Sequence, residues 1–329
     1  MILEKFKNKN CYLICDADLD GVVSRIVYEQ EVEHIVKSSI ILNTPNRNME
    51  DFSYEEAEKS DLIVFVDIAP NPKLVEWLKE KNKEFLIFDH HPEGENGYDV
   101  LKDIVNPNHY FFTTDKCGCK IFFDEVTKNI RKNKVLFQLV ELTDNYDRWQ
   151  EQSSLWKDAK DLQNVMYGYV NWSLNLPPTV KYNEFIKFQH EKIKNSRYFY
   201  FTKNELSLIA KAKEKERSAL KTAKENLKIR IDGNNNFYGY FECNSKLSYV
   251  ANQILKEMDK LKYIVCHSTY EDKNGLVPKV SIRSIDNRNF NCAELAKKWG
   301  GGGHVLSSGV IFEDLSFFMK LRVGSVHLV

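Results

Sequence analysis

Cys11-Tyr12-Leu13-Ile14-Cys15, followed at once by Asp16-Ala17-Asp18-Leu19-Asp20-Gly21, is the stretch whose reading sets the fold class. Five apolar residues without alternation suit a strand buried on both faces, the habit of parallel sheets. The run stops at a carboxylate, and two more carboxylates follow at i+2 and i+4. Three further apolar runs repeat the pattern: Ile40-Ile41-Leu42 ends near Asn43, Leu62-Ile63-Val64-Phe65-Val66 ends in Asp67, and Phe85-Leu86-Ile87-Phe88 ends in Asp89. Helical patterns at 22–36 and 72–82 lie between the runs. Strands alternating with helices predict an α/β fold built on a doubly wound, mostly parallel sheet. Ligands of such sheets bind beyond the carboxyl ends of the strands, where these Asp residues fall.

The chain has 329 residues, enough for two domains at roughly 100–200 residues each. A hydrophobic share of 43% excludes a wholly disordered chain. Lys+Arg and Asp+Glu are both 47, so there is no basic excess of the kind that grips long duplex DNA. Residues 1–10 are charged and only about five apolar residues follow, short of the ~7–15 of a signal peptide. No window approaches the ~20 apolar residues of a membrane span. The seven cysteines are scattered, and a reduced cytoplasmic chain with no membrane role is the expectation. Cys117-Gly118-Cys119 is too closely spaced for paired zinc ligands.

Helical patterns continue at 117–128 and 135–147. Residues 151–200 are rich in aromatics and show no clear period. The 207–227 stretch carries Lys and Glu at helical spacings and predicts an exposed helix. These readings divide the chain into a catalytic domain at 1–180, a helical linker at 181–228 and a smaller α/β domain at 229–329. In the last, strands are predicted at 263–268 and 277–284, and helices at 249–258 and 292–299. The second of these helices runs into Gly300-Gly301-Gly302-Gly303-His304.

The chemistry concentrates in four acidic motifs. Asp16, Asp18 and Asp20 point to one side if the stretch is extended, and like charges so placed repel unless a cation neutralises them. Hard divalent ions favour oxygen ligands, and imidazole also suits Mn²⁺. An EF-hand is excluded, because the twelfth position from Asp16 is Val27 and not Glu. Asp67, the triplet Asp89-His90-His91, and the segment Leu142-Thr143-Asp144-Asn145-Tyr146-Asp147-Arg148-Trp149 supply the rest. Carboxylates with one imidazole, drawn from several strand ends, are the composition of a two-metal phosphoryl-transfer site.

In this order the motifs resemble the DHH phosphoesterase superfamily, whose third motif is here Asp89-His90-His91. Asp16-x-Asp18-x-Asp20-Gly21 is similar to the first motif as RecJ-type exonucleases carry it, whereas many members have His where this chain has Asp16. Asp67 matches the second motif. Asp144 and Asp147, at i and i+3 on one helix face, both fit the fourth. Arg283-Ser284, the glycine run with His304, and Gly309 resemble the signature of the associated DHHA1 domain. Tyr146-Asp147-Arg148-Trp149 and the small size are most similar to the nanoRNase group.

The resemblance implies two Mn²⁺ per chain, or Mg²⁺ in their place. Asp16, Asp18 and Asp67 would hold one ion. Asp20, Asp67, His90 and one of Asp144 or Asp147 would hold the other, with Asp67 shared. Asp89 would orient His90, and His91 would contact the scissile phosphate or the leaving oxygen. Arg283, Ser284, Gly301, Gly302, Gly303 and His304 would hold a substrate phosphate. The activity so implied is hydrolysis of short single-stranded oligonucleotides, nanoRNA foremost, from an end. The alternatives are a RecJ-type single-strand DNA exonuclease, a phosphoesterase for cyclic or linear dinucleotides or 3′-phosphoadenosine phosphate, and a non-catalytic nucleic-acid-binding member. Removing Asp18 or Asp20 is expected to leave the fold largely intact.

Overall fold

The computed structural model describes residues 2–44, 49–92, 96–130, 132–170, 176–243, 246–272, 275–285 and 288–312. The chain separates into two compact units, Met1–Ile209 and Ala210–Val329.

The first unit opens with β1 (Asn10–Asp16), α1 (Leu19–Glu31), β2 (Ser38–Thr44), α2 (Tyr54–Lys59) and β3 (Leu62–Val66). It continues with α3 (Pro72–Glu80), β4 (Glu84–Asp89), α4 (Tyr98–Leu101) and β5 (Tyr110–Phe112). Five helices complete it: α5 (Gly118–Val126), α6 (Lys134–Asp147), α7 (Trp156–Tyr169), α8 (Pro178–Lys181) and α9 (Asn183–Asn195). The sheet order is β2-β1-β3-β4-β5, and every pairing is parallel. The doubly wound parallel sheet expected from the apolar runs is present. Both faces are covered. Leu13, Val64, Leu86 and Phe88 enter one core, while Tyr12, Ile14, Ile63, Phe65, Phe85 and Ile87 enter the other. That is why the runs do not alternate. The chain turns to opposite sides of β1 to form β2 and β3, so the crevice of this fold lies at the carboxyl ends of β1 and β3.

The division between units falls within α10 (Lys203–Asn226). The second unit contains β6 (Lys228–Ile231), β7 (Phe237–Glu242), α11 (Leu247–Glu257), β8 (Tyr263–Asp272), β9 (Gly275–Arg283), α12 (Cys292–Lys298), β10 (Gly302–His304) and β11 (Ser307–Ile311). Its sheet order is β10-β11-β9-β8-β7-β6, with β7–β8 parallel and the other pairs antiparallel.

The stretch without clear period at 151–200 holds α7, α8 and α9. The inner face of α9 buries Phe185, Ile186 and Ile193 together with Gln189 and Lys192. The Lys192 ammonium is 2.6 Å from Glu205 Oε1, and both are buried. A buried ion pair breaks the apolar stripe from which a helix is read. Residues 181–228 thus hold α9, packed into the core of the first unit, and α10.

Gly21 shows how tightly α1 starts against β1. A Cβ there would lie 2.0 Å from the Asp16 carbonyl oxygen, a rigid backbone atom. Alanine is the better helix former by about 1 kcal/mol, but the overlap costs more. We predict that Gly21→Ala destabilises the chain by about 1–3 kcal/mol or prevents folding, as read by urea denaturation. A neutral or stabilising effect would contradict this packing.

Candidate metal centre

The registers Cys15↔Val66 and Val66↔Phe88 align the ends of β1, β3 and β4 in one row. Asp16, Asp67 and Asp89 therefore stand side by side along the carboxyl edge of the sheet, all buried. Asp67 leaves β3 with φ +62°, and its N–H donates to the Phe88 carbonyl at 2.9 Å. That left-handed residue turns the chain sharply at the strand end. Gly118, at the start of α5, lies so close that a Cβ would be 2.7 Å from the Asp67 Cα.

The other carboxylates are held by backbone N–H groups. Asp16 Oδ1 accepts from the Ala17 N–H at 2.6 Å. Asp18 is the N-cap of α1, and its Oδ1 accepts from the Gly21 N–H at 3.1 Å. Asp20 reaches across to α5, where its two oxygens accept from the Gly118 and Cys119 N–H groups at 2.7 Å each. Asp144 Oδ1 accepts from the Cys117 N–H at 2.8 Å. Cys117, the N-cap residue of α5, makes no side-chain cap of its own. The amino end of α5 is capped instead by two carboxylates remote in sequence, which its dipole favours. This revises the expectation for Asp20, whose loss would strand two buried N–H donors.

His90 joins the carboxylates. Its Nε2 is 3.2 Å from Asp67 Oδ1, 3.4 Å from Asp147 Oδ2 and 3.9 Å from Asp20 Oδ2. Asp147 is thus the fourth-motif residue gathered with His90, whereas Asp144 faces α5 and lies 3.6 Å from Arg148. Asp89 does not meet His90 in the way expected: its Oδ1 is hydrogen-bonded to Nδ1 of His91 at 2.7 Å, and the Tyr110 hydroxyl donates to its Oδ2 at 3.4 Å.

Among the described residues, four sets of three donor atoms lie within 4.8 Å of one another: Asp16–Asp18–Asp67, Asp20–His90–Asp147, Asp67–His90–His91 and Asp20–Cys117–Cys119. Burial, then the charges of Asp20, Asp18, Asp16 and Asp147, push the Asp67 carboxyl well above the usual range. Its Oδ2 is buried without a hydrogen-bond partner. An orphaned carboxylate oxygen amid oxygen and imidazole donors fits a divalent cation. Cys117 and Cys119 sit beside Asp20 with their sulfurs 3.5 Å apart. Burial raises both thiols far above their usual range, which opposes the thiolate form a metal needs.

Supporting residues came from stretches that no motif marked. Asn43 Nδ2 donates to the Asp16 carbonyl at 3.0 Å, and the Tyr182 hydroxyl donates to the Ala17 carbonyl at 2.7 Å. Asn43 had one signal, its place at the end of the second apolar run. Tyr182 had none.

In the second unit, the half-buried Arg283 donates from Nη1 to the carbonyls of Ile282 at 2.9 Å and Ser308 at 3.1 Å. Its buried Nε has no hydrogen-bond partner. The Ser284 hydroxyl donates to the Lys262 carbonyl at 2.8 Å. Gly300, at φ +78°, closes α12, and a Cβ on Gly301 would lie 2.2 Å from the Gly309 carbonyl oxygen. Gly303 adopts φ +138° beside Ser307 and Ser308, and around Gly302 the space is open. Much of the run therefore serves the helix end and the β10–β11 pairing. The side chain of His304 lies outside the described residues.

A doubly wound sheet with this carboxylate–imidazole cluster at its switch point is the architecture of a DHH domain, and residues 10–144 match the model of the DHH family, N-terminal domain. Residues 10–144 thus resemble a DHH-family domain, and the chain as a whole is similar to nanoRNase-like proteins of that superfamily. It is 22% identical over 318 residues to oligoribonuclease NrnB of Bacillus subtilis (strain 168), covering 92% of this chain and 73% of that protein. Exonuclease RecJ bound to manganese superposes with TM-score 0.60 at 13% identity, over 98% of this chain and 91% of that one. The pGpG-specific phosphodiesterase PggH of Vibrio cholerae does so with TM-score 0.55 at 11% identity, over 95% and 98%. At these identities the solved structures share the fold. No helix among the described residues is long and apolar enough to cross a membrane.

The two first-motif carboxylates on α1 differ in what they hold. With metal removed by chelator, Asp18→Ala is expected to lower stability by about 1 kcal/mol, the effect of one N-cap. Asp20→Ala is expected to lower it by about 3 kcal/mol or more, because two charge-assisted bonds are lost at buried donors. Urea denaturation of both variants checks this, and equal losses would remove the capping role of Asp20.

Proposed function

We propose that this chain is a Mn²⁺-dependent phosphodiesterase, with Mg²⁺ as the alternative ion, that hydrolyses short single-stranded oligonucleotides from an end, nanoRNA foremost. The observation that carries the reading is Asp67, which belongs to the set with Asp16 and Asp18, lies 3.2 Å from the His90 Nε2 of the set with Asp20 and Asp147, and has one buried oxygen without a protein partner. Asp16, Asp18 and Asp67 hold one cation in this proposal. Asp20, Asp67, His90 and Asp147 hold the second, and Asp144 serves α5. Bound divalent ions supply charge neutralisation at the phosphoryl group and lower the pKa of the attacking water. The likeness to NrnB favours short RNA over the alternatives.

The protein's own groups do the positioning. Asp89 accepts from His91 Nδ1 and so orients the ring, and in this proposal His91 contacts the scissile phosphate or the leaving oxygen. The Tyr110 hydroxyl holds the far oxygen of Asp89. His91 thus acts on the substrate, and Asp89 acts through it. In the second unit, Arg283 and the open backbone at Gly302, with Ser284, Gly301, Gly303 and His304 around them, take a substrate phosphate. Of the five guanidinium donors of Arg283, two go to carbonyls and one from Nη2 to the Ser248 hydroxyl at 3.5 Å, which leaves two for an anion. We place the protein in the cytoplasm, where short RNA is turned over.

A panel of end-labelled RNA and DNA of graded length with Mn²⁺ tests the substrate class. The expected result is the highest kcat/KM on di- and trinucleotides of RNA, falling with length. Preference for long single-stranded DNA would support the RecJ-type alternative, and activity confined to one dinucleotide would support a PggH-type one. Arg283→Ala should lower kcat/KM on oligonucleotides by roughly 10–100-fold, as expected of a charge-assisted contact. Hydrolysis of bis-p-nitrophenyl phosphate should change far less. Equal losses on both substrates would remove the phosphate-holding role of Arg283.

A further inference from the structure

The end of α6 carries a residue that its backbone does not favour. The helix closes with a Schellman pair: the Trp149 N–H donates to the Tyr146 carbonyl and the Gln150 N–H to the Asn145 carbonyl, both at 3.0 Å. The left-handed residue of such a closure is usually glycine, because only glycine escapes the Cβ penalty. Here it is Trp149, at φ +52°. Both hydrogen bonds come from the main chain, so the closure itself has no use for an indole. A bulky residue held in a disfavoured conformation beside a candidate site points to function.

The ring also belongs to an aromatic cluster that is open to solvent. Trp149 meets Trp156 edge-on, with centroids 4.9 Å apart, and Trp156 stacks on Tyr146 at 5.9 Å and 8°. Tyr146 packs against the main core of the first unit, whereas Trp149 is 36% exposed. Trp149 also meets Tyr146 directly, with centroids 5.9 Å apart at 56°, so the indole rests on two anchored rings and is exposed on the remainder. Two residues before Trp149 lies Asp147, whose Oδ2 is 3.4 Å from His90 Nε2. A cation site needs only the phosphodiester, and nothing in its chemistry calls for a ring.

We propose that Trp149 is a base-stacking residue that takes one nucleobase of the oligonucleotide whose phosphodiester lies at Asp147 and His90. This deepens the function proposed above and rests on it. Stacking on an aromatic face does not discriminate among bases, so Trp149 would confer a demand for a base without selecting its identity.

The test uses the full chain and the variant Trp149→Gly, which relieves the backbone at φ +52°. Stacking predicts that KM for diadenylate rises about 5- to 150-fold while kcat changes less, and that the melting temperature does not fall. It also predicts that one of two analogues, abasic at the 5′ or the 3′ residue, is hydrolysed with a KM insensitive to the substitution. Adenosine monophosphate should quench the tryptophan fluorescence of the parent chain and not that of Trp149→Gly. An unchanged KM for diadenylate would overturn the proposal. So would equal losses on diadenylate and both abasic analogues, which would make Trp149 a positioning residue for Asp147. If the chain hydrolyses no dinucleotide, the proposed function fails separately. The quenching then decides for stacking by its loss in Trp149→Gly, or against it by its absence in the parent chain.

Discussion

The structure of the first unit depends on the seating of two carboxylates at the amino end of α5. Asp20 comes from α1 and Asp144 from α6, and between them they take the N–H groups of Cys117, Gly118 and Cys119. Three elements distant in sequence are fixed at one point by charge-assisted bonds, which are roughly twice as strong as neutral ones. The same point lies against Asp67, because Gly118 allows contact with its backbone. The position of the second motif relative to the first and fourth follows from this socket.

The socket also sorts the acidic residues by what remains free. Asp144 is spent on α5 and the neighbouring Arg148. Asp20 serves α5 while one of its oxygens stays 3.9 Å from His90. Asp67 has a backbone fixed on both sides and a buried oxygen with no partner. The charges around it would repel in a metal-free protein, and burial makes that repulsion stronger. A divalent ion reverses the sign of the field at that oxygen. His91, tied to Asp89 and in contact with the His90 ring at 4.2 Å, stands at the rim of this field.

The strands β1, β3 and β4 were legible because both faces of the sheet are covered, which leaves unalternated apolar runs that end in Asp. The acidic motifs were legible for the same reason, since strand ends and site coincide in this fold. β5 was not, being three residues long with only Tyr110 buried. The choice between Asp144 and Asp147 was beyond the sequence as well. Both lie on one face of α6, and only the packing of α5 shows which of them meets His90. Asp89 was read as a partner of His90, its chain neighbour, yet it turns to His91. The glycine run gave a single pattern for two tasks, since Gly300, Gly301 and Gly303 answer to local geometry and Gly302 alone is unconstrained.

The central claim is that Asp67 is shared between two cation sites at the switch point of the sheet. Anomalous diffraction from crystals grown with Mn²⁺ tests it most directly. The account predicts two peaks, one among Asp16, Asp18 and Asp67, the other among Asp20, Asp67, His90 and Asp147. A single peak away from Asp67, or a peak held by Asp144 in place of Asp147, would contradict it.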